Sequence, residues 1–385
     1  MILSEGRGEM KVLFSGGGTG GHISPALAMA DIIKTNVPTS QIAFVGTEYG
    51  IENSLIPQAG YKLYHVNVRG IRRSFSVSNV KALYLALTSP LKARRIIKDF
   101  APDIVIGTGG YACWPALKAA ADMGIPTMLH ESNALPGMAV RKLQNDVDVI
   151  MTNFEATRDL LSPTANVINV GNPLRSACNT LTRDAARKKL GISDKVKFVV
   201  LSFGGSMGAE RINHAAAEMM GNFASKHNDI MCFHVGGKKN FDSARSYFSA
   251  YGLERDPRFV LMEYTNDLPT YMAAADVVIC RAGAMTLTEI AKMGKPSIII
   301  PSPNVVDDHQ FKNAKALADA DAAIVIREAD INEGGSCKVC EAVKMLYDNT
   351  ELRQRMSENI KTFAKPDVEK NIFEAISALL ESYKK

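Results

Sequence analysis

Lys11-Val12-Leu13-Phe14-Ser15-Gly16-Gly17-Gly18-Thr19-Gly20-Gly21-His22 is an apolar run that breaks into glycines, and the helix-like stretch 25–34 follows it. Strand, glycine loop and helix in that order open a βαβ unit of a parallel sheet. Outward from this stretch the alternation continues, with strand candidates at 41–45, 62–66, 103–106, 126–130, 147–151 and 166–170. Gly171-Asn172-Pro173 interrupts the pattern, and a polar stretch to Asp184 leads into a second series at 197–203, 230–235, 259–262, 276–280, 297–301 and 322–326. The expected fold class is α/β, with two doubly wound Rossmann-like domains joined near residue 172 and a last helix over 368–383. Open α/β sheets bind ligands beyond the carboxyl ends of their strands, so two such sheets predict an active site in a cleft between them.

Four loops sit at such ends: the first one, Gly107-Thr108-Gly109-Gly110-Tyr111, Gly204-Gly205-Ser206-Met207-Gly208-Ala209, and Arg281-Ala282-Gly283-Ala284-Met285-Thr286. Glycine lets a backbone approach an anion closely, and the helix N-terminus behind it favours negative charge. A single loop of this kind is equally a tight turn, but four of them over two domains point to phosphate. Gly16, Gly18 and Gly21 satisfy GxGxxG, yet the second strand runs into Gly46-Thr47 and lacks the acid that holds an NAD ribose, which argues against a dinucleotide oxidoreductase. No GxxxxGK[ST] occurs, so a P-loop kinase or ATPase is excluded as well.

Several side chains beside these loops carry chemistry. His22 closes the first loop and reads as a general base or as a helix-terminus cap. His130-Glu131-Ser132-Asn133 ends a strand and offers an acid or base with an amide for a sugar hydroxyl, or simply a polar turn before Pro136-Gly137. Glu289 suits ribose hydroxyls or the first turn of its helix, and Asp307-Asp308-His309-Gln310 with Asn313 reads as a metal cluster or, through Gln310 and Asn313, as a sugar site. The DxD pairs Asp146/Asp148 and Asp319/Asp321 read as surface carboxylates, so no metal is expected. No cofactor is expected either.

The net charge of +5 hides a local excess. Between Arg69 and Lys98 lie eight basic residues and no acid, and without them the chain holds 37 basic against 40 acidic residues. Ile71, Phe75, Leu83, Tyr84, Leu85, Leu87 and Leu91 interleave with Arg72, Arg73, Arg94 and Arg95. Such a helix suits an anionic membrane interface, or a core position with a solvated basic face. Nucleic-acid motifs are absent. Six scattered cysteines predict a reducing compartment, with Cys337 and Cys340 as a structural pair. No signal peptide or spanning segment is predicted, and residues 1–9 read as a loose extension.

Taken in order, GGTGGH at 17–22, GGY at 109–111, HExN at 130–133, GNPxR at 171–175, GGSxGA at 204–209, SRAGAxTxxE at 280–289 (with Cys280 for its Ser) and HQxxNA at 309–314 resemble the bacterial undecaprenyldiphospho-muramoylpentapeptide β-N-acetylglucosaminyltransferases. The resemblance spans nearly the whole chain. It implies a GT-B fold in which residues 1–172, with a returning helix at 366–385, bind acceptor and membrane, and residues 173–365 bind the UDP-sugar. It further implies an inverting, metal-independent transfer of N-acetylglucosamine from UDP-N-acetylglucosamine to the muramoyl 4-hydroxyl of lipid I, giving lipid II of peptidoglycan. The expected place is the cytoplasmic face of the bacterial inner membrane, as a peripheral protein.

Carried onto this sequence, the family pattern makes His22 the first candidate base and Glu131 the second. Thr19, Gly20, Gly21, Asn133, Arg175, Ser206, Thr265, Ala284, Met285, Thr286, Leu287, Thr288, Glu289, Gln310 and Asn313 are implied at the donor, and Gly18, Gly109, Gly110 and Tyr111 at the acceptor diphosphate. Arg72, Arg73, Phe75, Leu83, Tyr84, Arg94 and Arg95 are expected at the membrane. Met207, Ser132 and Cys280 depart from the family's usual Gln, Gln and Ser. A transferase to another lipid such as diacylglycerol, a UDP-N-acetylglucosamine 2-epimerase, or a non-catalytic nucleotide-binding module would share the same architecture.

Overall fold

A computed structural model of the protein describes residues 10–68, 77–175, 177–305 and 308–384, the backbone alone over 77–87. The chain divides into two compact units, the first running to Arg175 and taking in the residues from Pro366 on, the second lying between. In the first unit β1 (Lys11–Gly16), β2 (Gln41–Gly46), β3 (Lys62–His65), β4 (Ile104–Gly109), β5 (Thr127–Glu131), β6 (Val149–Thr152) and β7 (Val167–Asn169) form one sheet in the order β3-β2-β1-β4-β5-β6-β7. In the second, β8 (Phe198–Phe203), β9 (Ile230–Val235), β10 (Phe259–Met262), β11 (Val277–Cys280), β12 (Ser297–Ile299) and β13 (Ile324–Val325) are ordered β10-β9-β8-β11-β12-β13. All pairings are parallel. Each of the thirteen strands lies where an apolar run predicts one, with ends that differ by at most three residues. Both faces of a parallel sheet are covered by helices, which is why its strands read as unbroken apolar runs.

Strand order reverses between β1 and β4 in one sheet and between β8 and β11 in the other, and these switch points open the crevices where doubly wound folds bind ligands. At the first, the β1–β4 register runs Ser15↔Gly107 and then slips to Gly16↔Gly109, so both glycine loops leave the sheet at one spot. The helix after the first loop begins at Gly20, not near Pro25 as the hydropathy suggests, because Thr19 is extended and serves as its N-cap. Helix Cys113–Asp122 lies flat on the sheet through Ala116, Ala119 and Ala120, all fully buried, whose small side chains allow close approach.

The last helix, Val368–Ser382, belongs to the first unit and packs on helix Gly20–Asn36. Its buried side chains Val368, Ile372, Ile376, Leu379 and Leu380 recur at helical spacing, and Tyr383 donates to Asp148 Oδ1 at 2.8 Å. In helix Val77–Phe100, Ala93, Ile96 and Ile97 enter the core while Leu91, Lys92, Arg95 and Lys98 are exposed. This end of the basic segment is thus a core helix with a solvated cationic face. Arg72, Arg73 and Phe75 lie outside the described residues, as do the side chains of Leu83 and Tyr84.

The expectation of unbridged cysteines is corrected at one place. Cys337 and Cys340 are joined in a disulfide, because a three-residue spacing at the start of helix Lys338–Asp348 sets their Cα atoms 5.2 Å apart. Cys337 Sγ also caps that helix by accepting from Cys340 N at 3.1 Å. Cys113, Cys178, Cys232 and Cys280 are free and buried, and burial pushes the Cys113 thiol up to about 12, leaving it inert.

Candidate active site

At the β1–β4 switch point the first loop is held tightly. Gly110, at φ 86°, packs so closely on Gly17 that a Cβ there would stand 2.3 Å from the Gly17 carbonyl oxygen. The left-handed backbone and the contact together require glycine. Ser15 Oγ ties β1 to the next loop by donating to Ala112 O at 3.0 Å, and Thr108 Oγ1 donates to His22 O at 2.7 Å. His22 Nδ1 is 3.0 Å from Gly17 O, with Thr19 Oγ1 at 3.3 Å. A carbonyl oxygen only accepts, so in the neutral imidazole Nδ1 carries the proton and Nε2 the lone pair. A Cβ on Gly109 would lie 2.9 Å from that Nε2, which places the lone pair against the second glycine loop.

A cavity of about 420 Å³ opens here, lined by Gly17, Gly18, Thr19, His22, Thr108, Gly109, Gly110, Tyr111, Glu131, Ser132 and Asn133. Val68, Trp114, Met138, Ala139 and Val140 add apolar lining, and Lys142 a cation. The polar end can take an anion and a sugar, and the apolar wall a hydrocarbon. Tyr111 and Met138 remain 55% and 65% exposed, which makes the rim apolar too.

Glu131 lines this cavity but is already engaged. Its Oε1 accepts from Asn133 N at 2.9 Å and Asn133 Nδ2 at 3.0 Å, and its Oε2 accepts from Gly137 N at 2.7 Å. Three donors on one carboxylate fix the 131–137 turn and orient Asn133. His130 is fully buried, donates from Nε2 to Gly171 O at 3.0 Å, and is pushed down to about 4 by burial, so it is a neutral structural histidine. Gly20 and Gly21 open helix Gly20–Asn36. Arg175 closes the first unit, where its charge pulls down a carboxyl, Asp31, that burial raises.

In the second unit a polar cavity of about 500 Å³ lies beyond β8 and β11, lined among others by Gly204, Gly205, Arg211, Arg281, Thr286, Ser302, Gln310 and Glu328. A smaller one of about 270 Å³ is lined by Arg211, Pro303, Asp308, Phe311 and Arg327, with Arg327 3.6 Å over the Phe311 ring. Arg281 is neutralised by Glu328 and donates to Ile300 O and Pro301 O at 3.1 and 3.0 Å, so it braces the strand end. Gln310 Oε1 accepts from Ser302 N at 2.9 Å, and Asn313 Nδ2 is buried without a hydrogen-bond partner among the described residues. A buried unpaired amide costs about 1–3 kcal/mol, which a ligand oxygen would recover.

Of the 284–289 stretch, Thr286 lines the larger cavity, whereas Leu287 packs in the core and gives its N–H to Gly283 O at 2.9 Å. Thr288 Oγ1 donates back to Ala284 O at 2.9 Å. Ser206 shapes its own loop through its carbonyl, which accepts from Lys238 N at 3.3 Å. Thr265 accepts from Asp267 N at 3.1 Å ahead of helix Leu268–Ala274 and is not among the lining residues of either cavity.

Sequence reasoning overlooks Glu52, Trp114 and Arg211. Arg211 follows the third glycine loop directly and had a local signal; Glu52 and Trp114 had none. Among the described residues no three His, Cys, Asp or Glu side chains cluster to hold a metal, and three of the four DxD acids are engaged: Asp146 by Lys118 at 2.9 Å, Asp148 by Thr127 N and Oγ1 at 2.7 and 2.8 Å, Asp319 by Lys315 at 2.5 Å.

Two doubly wound units with glycine loops at both switch points are the GT-B architecture, and the family matches make the chain a glycosyltransferase. Residues 12–152 match the glycosyltransferase family 28 N-terminal domain, and residues 199–372 match the family 28 C-terminal domain. Within that class the chain belongs to the UDP-N-acetylglucosamine–N-acetylmuramyl-(pentapeptide) pyrophosphoryl-undecaprenol N-acetylglucosamine transferases. It is 38% identical to the one from Thermoanaerobacter sp. (strain X514), over 96% of this chain and 100% of that one. It is also similar to the crystal structure of MurG from Acinetobacter baumannii, with a TM-score of 0.69 at 25% identity over 96% of this chain and 100% of that one. A putative UDP-N-acetylglucosamine 2-epimerase from Listeria monocytogenes, 14% identical with a TM-score of 0.66 over 97% and 98% of the two chains, shares the fold alone.

Proposed function

We propose that this protein transfers N-acetylglucosamine from UDP-N-acetylglucosamine to the 4-hydroxyl of the muramoyl group of undecaprenyl-diphospho-muramoylpentapeptide, with inversion. The observation that carries the reading is the fixed tautomer of His22. Its Nδ1–H is spent on Gly17 O, and its ring lines a cavity that the glycine loops share with apolar side chains. The acceptor oxygen attacks the anomeric carbon, the bond from that carbon to the UDP oxygen breaks, and the hydroxyl proton passes to Nε2. Gly18, Gly109, Gly110 and Tyr111 receive the acceptor diphosphate.

The donor belongs to the second unit. Thr286, Gln310 and Asn313 bind it, Glu289 is assigned to the ribose, and the N-terminus of helix Ala284–Met293 stabilises the departing diphosphate. Thr19, Asn133, Arg175, Ser206 and Thr265 are assigned supporting donor contacts. Among the described residues no helix is long and apolar enough to cross a membrane. Peripheral association through the basic segment, at the cytoplasmic face, accompanies this reading. The deciding experiment measures UDP release from UDP-N-acetylglucosamine with no acceptor, with lipid I and with diacylglycerol. Release that depends on lipid I is expected, and release that depends only on diacylglycerol, or on neither, sinks the reading.

A further inference from the structure

We propose that Glu52 is a positioning residue for the transfer, holding the first glycine loop and, through Gly17, the orientation of His22. The assignment rests on the function proposed above. Glu52 is 0% exposed, yet among the described residues its carboxylate meets no cation; instead Oε2 accepts from Gly18 N at 2.9 Å, and Oε1 accepts from Thr47 N at 2.9 Å and Thr47 Oγ1 at 2.8 Å. A buried carboxylate with three donors is an anchor that is costly to disturb.

Three glycines close around it. Cβ atoms on Gly17, Gly46 and Gly50 would approach Glu52 to 2.6, 2.7 and 1.8 Å, so the loop after β1 and the loop after β2 are moulded on one side chain. Gly17 and Gly18 then line the cavity, and Gly17 O is the acceptor that sets the His22 tautomer. Gly110 packs on Gly17 from the other side. Glu52 thereby governs two glycine loops and the base without touching any of the reacting atoms. In dinucleotide-binding folds the acid near the end of the second strand faces the ligand. Here the strand ends at Gly46-Thr47, and the acid arrives five residues later on helix Glu52–Gln58, turned inward to the loop.

The test is E52Q, which keeps size and shape while replacing one acceptor oxygen by a donor. Against a short-chain prenyl-diphospho-muramoylpentapeptide, kcat/KM for the acceptor is expected to fall about 10- to 100-fold, the effect of an ångström-scale misplacement, with KM for UDP-N-acetylglucosamine changed less than about twofold. Amide exchange across residues 16–22 should accelerate, because Gly18 N–H loses its acceptor. E48Q, at an exposed acid of the same loop, should alter none of these. Acceptor kcat/KM within twofold of wild type, unchanged exchange, or a parallel fall of donor and acceptor parameters tracking the folded fraction would overturn the proposal. If E52Q does not fold, Thr47→Val, which removes one of the three donors, reads the same exchange with a smaller acceleration, and no acceleration there overturns it too. Exchange needs no substrate, so faster exchange in E52Q beside a wild type that ignores the acceptor supports the anchor and rejects the transferase reading.

Discussion

The two units share one plan and differ in what their switch points enclose. In the first, the loops after β1 and β4 meet a wall of Val68, Trp114, Met138, Ala139 and Val140 and one histidine with a fixed proton. In the second, the loops after β8 and β11 meet Arg211, Arg281, Ser302, Gln310 and Glu328. A doubly wound sheet places backbone amides at both switch points, and under the proposed function the remaining lining selects the rest of the ligand: hydrocarbon in the first unit, sugar and nucleotide groups in the second.

That contrast breaks most sharply at His22. His22→Ala is expected to lower kcat by about 10²–10⁴ with donor KM unchanged, and a near-normal kcat in steady-state assays would remove it as the base.

A second comparison concerns the buried histidines, one per unit. His130 and His234 are both pushed down from 6.5 to about 4 by burial, His234 sitting between Ser202 Oγ at 2.8 Å and Asn213 Oδ1 at 3.1 Å. Above pH 6.5 neither state binds a proton at these sites. Below it the unfolded chain does and the folded chain does not, so stability drops between pH 6.5 and 4 by up to about 3 kcal/mol per histidine and levels off beneath. Denaturant midpoints measured at pH 7 and pH 5 check this; a flat profile contradicts it.

Paired glycine changes sharpen the division of labour. A Cβ on Gly110 would meet Gly17 O at 2.3 Å, and one on Gly208 would meet Gly236 O at 2.0 Å, both at left-handed φ. Gly110→Ala should raise acceptor KM and Gly208→Ala donor KM, each by roughly tenfold as the strained loop shifts. Crossed effects in the kinetics would dissolve the assignment of ligands to units. The smallest effect is expected at the proposed membrane face: Arg95→Glu should weaken binding to anionic liposomes by about 1 kcal/mol per charge removed while leaving UDP binding intact. Arg94 should matter less, since Asp122 lies 3.9 Å from it.

Much of this was legible in the sequence. All thirteen strands and the four glycine loops follow from apolar runs and turn residues, which are local properties of the chain. The candidate site was legible as a set of residue types and ordered motifs, but not as a set of roles. Glu131 stands beside the cavity as its spacing suggested, yet its oxygens are consumed by Asn133 and Gly137. Leu287 falls inside a site motif and faces the core. The CxxC pair reads as two thiols until the helix start brings the sulfurs together.

The sequence by itself determined two parallel α/β units, their glycine loops, the basic segment and the family, because periodicity and motif order need no knowledge of distant contacts. Only the tertiary structure decided which nitrogen of His22 is bare, that Glu131 is an anchor, and that Glu52, 34 residues beyond Gly18, holds the first loop in place. Those outcomes depend on which donors and acceptors packing brings within about 3 Å, and hydrogen-bond partners far apart along the chain leave no local trace.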